Sequence, residues 1–333
     1  MTLCTAWIRQ ANNSEELVFA TDSTLTGGEK WNNGIKLFEL PRKDCLLCFA
    51  GSTIRAYPLV LNLISSIKFD KYLRKSDTEI VEVLNFISDL FTQLIKTIVS
   101  EIKNEDIHQL RSEAKFLFGG WCWSTSSFRI WQLYYSKDIE GFLFKELTED
   151  NTKTRFYTFL GDPEEIIEQE AKRRFKQMLI DEDIYDSKLN MEPLAVLRDI
   201  ALDKGIREVD GSLQIAKIYK SGNSEFFGIH WPSSDGEPYF QGRKYSEYTK
   251  PNIRFIDPDT CELINHDLPQ SISNLSEINF GFYTDLVTEC YPNGNIKDNI
   301  TEKQNHVLKA LFQDIAYTNF ISLTEITEED AIL

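Results

Sequence analysis

Groups of strands and groups of helices follow one another along the first 219 residues, and this order constrains the fold most. Four short strand patterns come first, then two helical stretches, a second group of strands, two more helices and a closing strand. Runs of one kind, rather than strict alternation, favour an α+β protein with mainly antiparallel sheets over a doubly wound parallel sheet. Two helices after each group of strands fit two sheets packed face to face with helix layers outside.

Alternating and helical apolar periods define the predicted elements. The strands are predicted at 3–9, 17–21, 35–40, 45–50, 115–118, 128–135, 142–147, 157–160 and 213–219. The helices are predicted at 54–67, 76–103, from 162 to about 179, and at 191–204. The second helix has the clearest pattern, because a capping box at Ser76–Glu79 precedes an apolar stripe on one face. We interpret that stripe as a core-packing face rather than a coiled-coil surface.

The periodicity fades after about residue 220. Turn signals multiply there, a helix is predicted near 301–319, and the acidic end at 325–330 is typical of a solvated tail. We therefore predict a first domain over residues 1–220 and a C-terminal extension over 221–333, to which the sequence assigns no role.

The charge balance excludes several classes of partner. The chain carries 36 Lys and Arg against 52 Asp and Glu, a net charge of −16, and it has no basic stripe. Such a chain repels phosphate backbones and anionic membrane surfaces, so we expect no nucleic-acid partner. No apolar run reaches the ~20 residues that cross a bilayer, and the N-terminus lacks a signal-peptide layout. We expect no membrane association and a cytoplasmic location.

The cysteines do not indicate a metal or redox site. All six are scattered, and the one C-x-x-C pair, Cys45 and Cys48, lies within an apolar strand pattern. No second Cys or His pair follows at zinc-ribbon spacing, and the four histidines form no H-E-x-x-H motif. We expect reduced structural thiols, no bound metal and no cofactor.

The second residue is the first candidate for chemistry. Thr2 directly follows Met1, and methionine aminopeptidase accepts a small residue in this position. Removal of Met1 would give Thr2 a free α-amine that titrates near pH ~7.7–8.0, next to its own hydroxyl. A nucleophile and its base would then lie on one residue.

Three further features follow Thr2 at the ends or interiors of predicted strands. Asp22 ends the second strand in Ala20-Thr21-Asp22-Ser23, Lys36 lies in the third, and Gly51 ends the fourth before a helix. Each has an ordinary reading as well. Lys36 could be a solvated strand residue, Asp22 a turn residue that binds backbone N–H groups, and Gly51 a turn glycine.

Together, in this order and spacing, the four features resemble proteasome β subunits and the related bacterial HslV peptidase. Both are N-terminal nucleophile hydrolases whose first strand starts with a catalytic Thr. The resemblance is strongest over residues 2–67, extends through helix order to about 219, and does not cover 221–333. It implies a four-layer αββα fold, cleavage of amide bonds in peptides or unfolded proteins, ring-like homo-oligomers and an ATPase partner.

The resemblance also implies a role for each residue. Thr2 Oγ1 would attack the carbonyl carbon, and the α-amine would accept the hydroxyl proton. The charge of Lys36 would lower the pKa of groups beside Thr2, and Asp22 would orient Lys36. The backbone N–H of Gly51 would face the oxyanion.

Three more positions match family residues that contact substrate. Thr26 would pair with an extended substrate through its backbone. Phe38 and Phe49 would line the primary specificity pocket, which suggests a bulky and apolar pocket.

Two segments depart from the family pattern. Leu160-Gly161-Asp162-Pro163 stands where the family has a Gly-Ser-Gly-like turn with a catalytic Ser. Ile206 and Val209 stand where it has a supporting Asp and Ser, for which Asp162 or Asp210 are the candidate substitutes. Two alternatives therefore stay open, a non-catalytic assembly or binding protein and an amidohydrolase that acts on a small amide.

Overall fold

The structure is a computed structural model, and it is described for most of the first 264 residues. The described residues are 2–11, 14–26, 29–75, 78–100, 106–148, 155–162, 166–184, 188–245, 253–264, 286–287, 289–290, 300–304 and 307–308. Residue contacts divide the chain into two compact units. One contains residues 1–250 and 255–263, and the other contains 251–254 and 264–333.

Fifteen strands and five helices lie within residues 3–256, and the described residues 286–287, 289–290, 302–304 and 307–308 are also helical. The strands are β1 (Leu3–Ala11), β2 (Ser14–Thr21), β3 (Leu25–Thr26), β4 (Lys30–Trp31), β5 (Leu37–Glu39), β6 (Cys45–Gly51), β7 (Ala114–Cys122), β8 (Ser127–Ser136), β9 (Gly141–Glu146), β10 (Tyr157–Gly161), β11 (Gln214–Tyr219), β12 (Ser224–Trp231), β13 (Glu237–Phe240), β14 (Arg243–Lys244) and β15 (Phe255–Ile256). The helices are α1 (Thr53–Phe69), α2 (Ile80–Ile95), α3 (Ile107–Ser112), α4 (Ile166–Asp181) and α5 (Glu192–Leu202).

Two antiparallel sheets dominate the first unit. The larger has the order β10-β1-β2-β11-β12-β13-β14, and β15 adds to it in parallel with β12. The smaller has the order β5-β6-β7-β8-β9, and β3 and β4 form a separate two-stranded hairpin. The chain is thus a mixed α and β protein with antiparallel sheets, in agreement with the predicted class.

Three buried apolar clusters account for the packing of the first unit. One joins the larger sheet to α4 and α5, through residues such as Trp7, Phe175 and Leu197. A second joins the smaller sheet to α1 and α2. The third takes side chains from both sheets, including Phe19 of β2 and Leu117 of β7. Alternation along each strand explains this, because successive side chains point to opposite faces.

The same alternation separates the two thiols of the C-x-x-C pair. Cys45 belongs to the cluster shared with α1 and α2, whereas Cys48 belongs to the cluster between the sheets. Burial raises the pKa of both thiols well above the usual value for cysteine. The pair is therefore built as two packing residues on opposite faces of β6.

The helix predicted over 76–103 is shorter in the structure. α2 begins at Ile80, its N-cap residue Glu79 makes no side-chain cap bond, and residues 76–77 lie outside the described part. It ends at Ile95, and Thr97 Oγ1 then donates to Leu94 O at 2.7 Å. Such a side-chain bond competes with the helical ladder and favours termination. The short helix α3 was not predicted.

The predicted boundary near residue 220 falls between two paired strands. β11 and β12 are antiparallel neighbours in the larger sheet, with Ile218 opposite Ser224. Phe227, Ile229 and Trp231 of β12 are buried in the cluster with α4 and α5. The acidic tail and most of the predicted helix near 301–319 lie outside the described residues. No helix in the described part of the chain is long and apolar enough to span a membrane.

Candidate functional site

Thr2, Asp22 and Lys36 meet in the interior of the first unit. Lys36 Nζ donates to Thr2 Oγ1 at 2.8 Å and to the two carboxylate oxygens of Asp22 at 3.0 and 2.9 Å. The exposed fractions are 3% for Thr2 and 0% for Asp22 and Lys36. Lys36 is therefore not the solvated strand residue of the ordinary reading, and a hydroxyl, an ammonium and a carboxylate form one buried chain of bonds.

The β1–β2 hairpin places Thr2 beside Asp22. Cys4 pairs with Thr21, so the start of β1 lies next to the end of β2, where Asp22 follows. Asp22 Oδ1 accepts from the Leu3 N–H at 3.1 Å, and Asp22 Oδ2 accepts from the Thr24 N–H at 3.1 Å. Two backbone amides and one ammonium thus hold the carboxylate in a single orientation.

The environment perturbs the Asp22 carboxyl. Burial raises its pKa, while the charge of Lys36 and the hydrogen bonds from Lys36, Leu3 and Thr24 act in the opposite direction. A buried ion pair of this kind adds little net stability, because its desolvation cost offsets its attraction. A buried, perturbed group beside a hydroxyl is instead a candidate for chemistry.

Asp162 contacts the nitrogen of Thr2. Asp162 Oδ1 accepts from Thr2 N at 2.8 Å, and Asp162 directly follows β10, whose Gly161 pairs with Leu3 of β1. With Met1 attached, this nitrogen is a peptide N–H; after removal of Met1 it is an amine facing a carboxylate. The residue that breaks the Gly-Ser-Gly-like pattern therefore lies at the site.

The second departing segment does not reach Thr2 with its acidic residue. Asp210 forms an ion pair with Lys30 at 2.5 Å. Val209 is fully buried in the cluster with α4 and α5, and Ile206 packs against the same cluster. Of the two candidate substitutes, Asp162 is the one that bonds to Thr2.

Gly51 occupies a backbone position that suits only glycine. It ends β6 with φ at +109°, and a Cβ there would lie 1.9 Å from the carbonyl oxygen of Glu113. The Phe49 N–H donates to Lys36 O at 3.3 Å, which ties the strand that ends at Gly51 to the Lys36 segment. An oxyanion-binding role for the Gly51 N–H stays a prediction.

The residues predicted to contact substrate lie in two places. Thr26 is exposed on β3, where it pairs with Lys30. Phe38 is half-buried and stacks on the buried Phe49 at 6.2 Å between ring centroids. Tyr57, which the sequence did not single out, closes this aromatic group edge-on, at 6.2 Å from Phe38 and 5.7 Å from Phe49.

Sequence reasoning also missed Gln214. This residue of β11 is 1% exposed, and its side-chain oxygen accepts from the backbone N–H groups of Lys36 at 3.0 Å and Leu37 at 3.2 Å. Its amide nitrogen donates to Gly34 O at 2.5 Å. A polar residue inside the apolar strand pattern 213–219 is the one signal that could have identified it. Nearby in the chain, the buried Ser212 Oγ has no hydrogen-bond partner among the described residues.

The described residues include no group of three or more His, Cys, Asp or Glu side chains that could hold a metal ion. The groups that the structure brings together at this site are the hydroxyl of Thr2, the ammonium of Lys36, the carboxylates of Asp22 and Asp162, and backbone amides. Such a set can activate a hydroxyl and stabilise its attack on a carbonyl carbon.

Three solved structures similar to this chain are Anbu proteins. The Anbu (ancestral β-subunit) protein from Yersinia bercovieri is 16% identical, with 67% of this chain and 86% of that chain covered and a TM-score of 0.44. An Anbu (Gly-1) mutant from Hyphomicrobium sp. strain MC1 is 15% identical, with 66% and 81% covered and a TM-score of 0.42. The helical assembly of the Anbu complex from Pseudomonas aeruginosa is 17% identical, with 64% and 79% covered and a TM-score of 0.43. No family model and no curated protein matches the sequence.

The expected membership among proteasome β subunits and HslV is wrong. The similar structures are Anbu proteins, a proteasome-like family distinct from both. The two departing segments, Leu160–Pro163 and Gly205–Gly211, are where the sequence already disagreed with the expected family.

Proposed function

We propose that this protein hydrolyses amide bonds with Thr2 as an N-terminal nucleophile, after Met1 has been removed. The observation that carries the proposal is the bond from Lys36 Nζ to Thr2 Oγ1, made by an ammonium that Asp22 holds through both carboxylate oxygens. A structural role explains this arrangement poorly, since an apolar core of the same volume would avoid the cost of burying both charges.

The proposed reaction uses each group once. Thr2 Oγ1 attacks the carbonyl carbon, and the freed α-amine accepts the hydroxyl proton and later gives it to the leaving amine. Lys36 stabilises the negative charge that develops on Oγ1, and Asp22 keeps Lys36 in place. Asp162 orients the amine, and the Gly51 N–H binds the oxyanion. Water then hydrolyses the acyl-enzyme.

The substrate and the assembly belong to the same proposal. Thr26 would bind an extended peptide, and the half-buried Phe38 and Tyr57 would form the apolar wall beside the scissile bond. Phe49, predicted to line this pocket, is fully buried and would support the wall from behind. The three apolar clusters support a four-layer arrangement, with the two sheets inside and the helices α1, α2, α4 and α5 outside. A small N-acyl amide is the alternative substrate. If the substrates are unfolded proteins, we expect an ATPase partner as well.

A homo-oligomer is supported by the surface of α1. Ile54, Leu61 and Phe69 are 75%, 60% and 80% exposed. Their spacing of seven and eight residues places them on one side of the helix. Exposed apolar groups aligned in this way favour a contact between copies of the chain.

The first experiment measures the mass of the protein and the reactivity of Thr2. We expect the intact protein to lack one methionine, and a β-lactone probe to add to Thr2 in a stoichiometric manner, as located by peptide mass spectrometry. Hydrolysis of peptide and N-acyl amide libraries then separates the two substrate classes.

Three variants control this experiment. Thr2→Ser keeps a hydroxyl and should retain labelling, whereas Thr2→Ala should lose it and Lys36→Met should slow it by roughly 10²-fold or more, by analogy with the removal of a transition-state donor. Retention of Met1, or peptide hydrolysis by Thr2→Ala at the wild-type rate, would overturn the proposal and favour a non-catalytic assembly or binding protein.

A further inference from the structure

We propose that Gln214 is a positioning residue that holds Lys36 against Thr2 and Asp22, an inference that rests on the proposed function of this site. Gln214 lies 178 residues from Lys36 in the chain and contacts the backbone of its segment, not its ammonium group. It would therefore act on the reaction through Lys36.

The Gln214 side chain both accepts from and donates to the backbone of residues 34–37. Its oxygen accepts from two successive N–H groups, those of Lys36 and Leu37, and its nitrogen donates to Gly34 O. Contacts on both sides of residue 35 fix the position and the direction of the chain at Lys36. A primary amide suits this task, because it offers an acceptor and donors without a charge.

The segment needs this external support. Residues 34–36 lie between β4 and β5 and belong to neither strand. The Phe49 N–H donates to Lys36 O and the Gly34 N–H donates to Ser23 O, but the Lys36 N–H donates to Gln214 and not to a neighbouring strand. A lysine side chain also has several rotatable bonds, and its ammonium group reaches a fixed point only if its backbone is fixed. Gln214 supplies such a contact at Lys36 itself, because it accepts from the Lys36 N–H.

Gln214 is also close in strand register to Asp22. It pairs with Thr21 of β2, directly before Asp22. Gln214, which positions Lys36, therefore lies opposite the residue that precedes Asp22. The separation of the two charges is set across this pair of strands.

A turn beyond residue 220 packs against this arrangement. Gly242 lies between β13 and β14 with φ at +82°, and a Cβ on it would meet Ser23 Cβ at 2.7 Å and Gln214 Nε2 at 3.3 Å. A side chain at this position would press on both residues. The β13–β14 turn therefore backs the support of Lys36 from the region predicted to be an extension.

The experiment compares Gln214→Met with a matched Gln132→Met on β8. Methionine keeps the length of the side chain and removes its donor and acceptor. The rate of Thr2 labelling by a β-lactone is measured from pH 5 to pH 9, and the Lys36 ammonium is observed by ¹H–¹⁵N NMR, with its signal assigned through Lys36→Met. Circular dichroism establishes that each variant is folded.

We expect Gln214→Met to slow labelling by between about tenfold and 100-fold, because small misplacements of a catalytic group have effects of this size. Its pH profile should move to higher pH, and its Lys36 signal should broaden or shift. Gln132→Met should match the wild type in all three. Gln214→Glu, which keeps the acceptor for the two amide groups, should recover part of the rate.

Two results would overturn the inference: a folded Gln214→Met with the wild-type rate and pH profile, or one with an unchanged Lys36 signal. If Gln214→Met does not fold, Gln214→Asn replaces it, since its shorter side chain cannot make all three bonds. A wild-type protein that β-lactones never label would refute the proposed function alone. The NMR comparison would then still decide whether Gln214 positions Lys36.

Discussion

The Lys36 side chain is completely buried beside the one hydroxyl and the one carboxylate it binds. An ammonium group in a protein interior persists only when nearby groups replace its hydration shell. Here Thr2 Oγ1 and the two Asp22 oxygens do so. A function for the Lys36 charge at Thr2 would explain why the protein bears the desolvation cost of burying the Lys36–Asp22 pair.

The pH dependence of the reaction should report on Asp22. Burial, the largest influence, raises the pKa of Asp22 against the opposing effect of Lys36. As pH falls through this raised pKa, the carboxylate takes up a proton, Lys36 loses its counter-charge and labelling of Thr2 slows. The α-amine gives a limb at its own pKa, so we expect Asp22 to add a second limb at lower pH but above ~3.9, the usual pKa of an aspartic acid. The measurement is the labelling rate from pH 3.5 to pH 8, with circular dichroism at each pH.

The effect of Asp22 on stability has the opposite sign to its effect on the rate. A folded pKa above the unfolded value contributes stability that is fully present below the unfolded pKa and is lost as pH rises through the folded pKa. Asp22→Asn should remove the limb that Asp22 causes and keep that of the α-amine, whereas Asp210→Asn, which removes the partner of Lys30, should keep both. A limb at or below pH ~3.9 in folded wild-type protein would contradict this prediction.

Single residues were predictable where a strand end marked them. Thr2, Asp22 and Gly51 each stand at the end of a strand pattern, so their types and positions were visible in the sequence. Gln214 was not, because its partners lie about 180 residues away. Its local signal, a polar residue within an apolar strand pattern, is also typical of a strand residue that faces solvent. The catalytic roles of these residues remain predictions that the experiments above test.

At the scale of elements, the apolar periods located most of the long strands and helices, but missed the short ones and the eight-residue strand β12. β1, β2, β6 to β8 and α1 occur near their predicted bounds because each buries a continuous face. The two-residue strands β3, β4, β14 and β15 have no period to detect. Local side-chain bonds, such as that of Thr97 after α2, moved the helix ends.

The exposed side of α1 gives a prediction about assembly. Ile54→Glu combined with Leu61→Glu places two like charges on that side, so association of copies through α1 should be disfavoured. We expect mass photometry to show multiples of the chain mass for the wild type and single chains for the variant. Leu202→Glu, on an exposed position of α5, is the matched control and should assemble normally.

Either of two outcomes would refute the assembly prediction. One is a wild-type protein that is a single chain at all concentrations measured. The other is a double variant with the same mass distribution as the wild type.

At the scale of the whole molecule, residues beyond 220 complete the larger sheet. β12 contributes Phe227, Ile229 and Trp231 to the core cluster, at 1%, 1% and 9% exposure. Loss of large core side chains costs roughly 2–5 kcal/mol each. Three such losses are comparable to the roughly 5–15 kcal/mol that hold a whole domain together.

Truncation tests this directly. We expect a chain of residues 1–220 to show no cooperative thermal unfolding by circular dichroism, because it lacks β12 and leaves the edge of β11 unpaired. A chain of residues 1–264, which retains β12 to β15, should unfold cooperatively. Equal behaviour of the two truncated chains, folded or unfolded, would contradict the prediction.

The fold class of the molecule could be predicted from the sequence, whereas its domain boundaries could not. Grouped strands and helices indicated antiparallel sheets with packed helices because that order leaves few other arrangements. The boundary near 220 was drawn where periodicity faded, yet antiparallel pairing continues through that point. β11 and β12 are joined by only a short turn. The sequence signal of such a turn is the same within a domain as at a domain boundary.

The wide spread of the site along the chain has a consequence for synthesis. Thr2 emerges from the ribosome first, but Asp162 and Gln214, which hold its nitrogen and Lys36, are made far later. During that time Thr2 therefore has no support from these residues. Under the proposed function, a nascent chain would carry its nucleophile without being able to use it, and neighbouring nascent chains would be protected until about two thirds of the protein has been made.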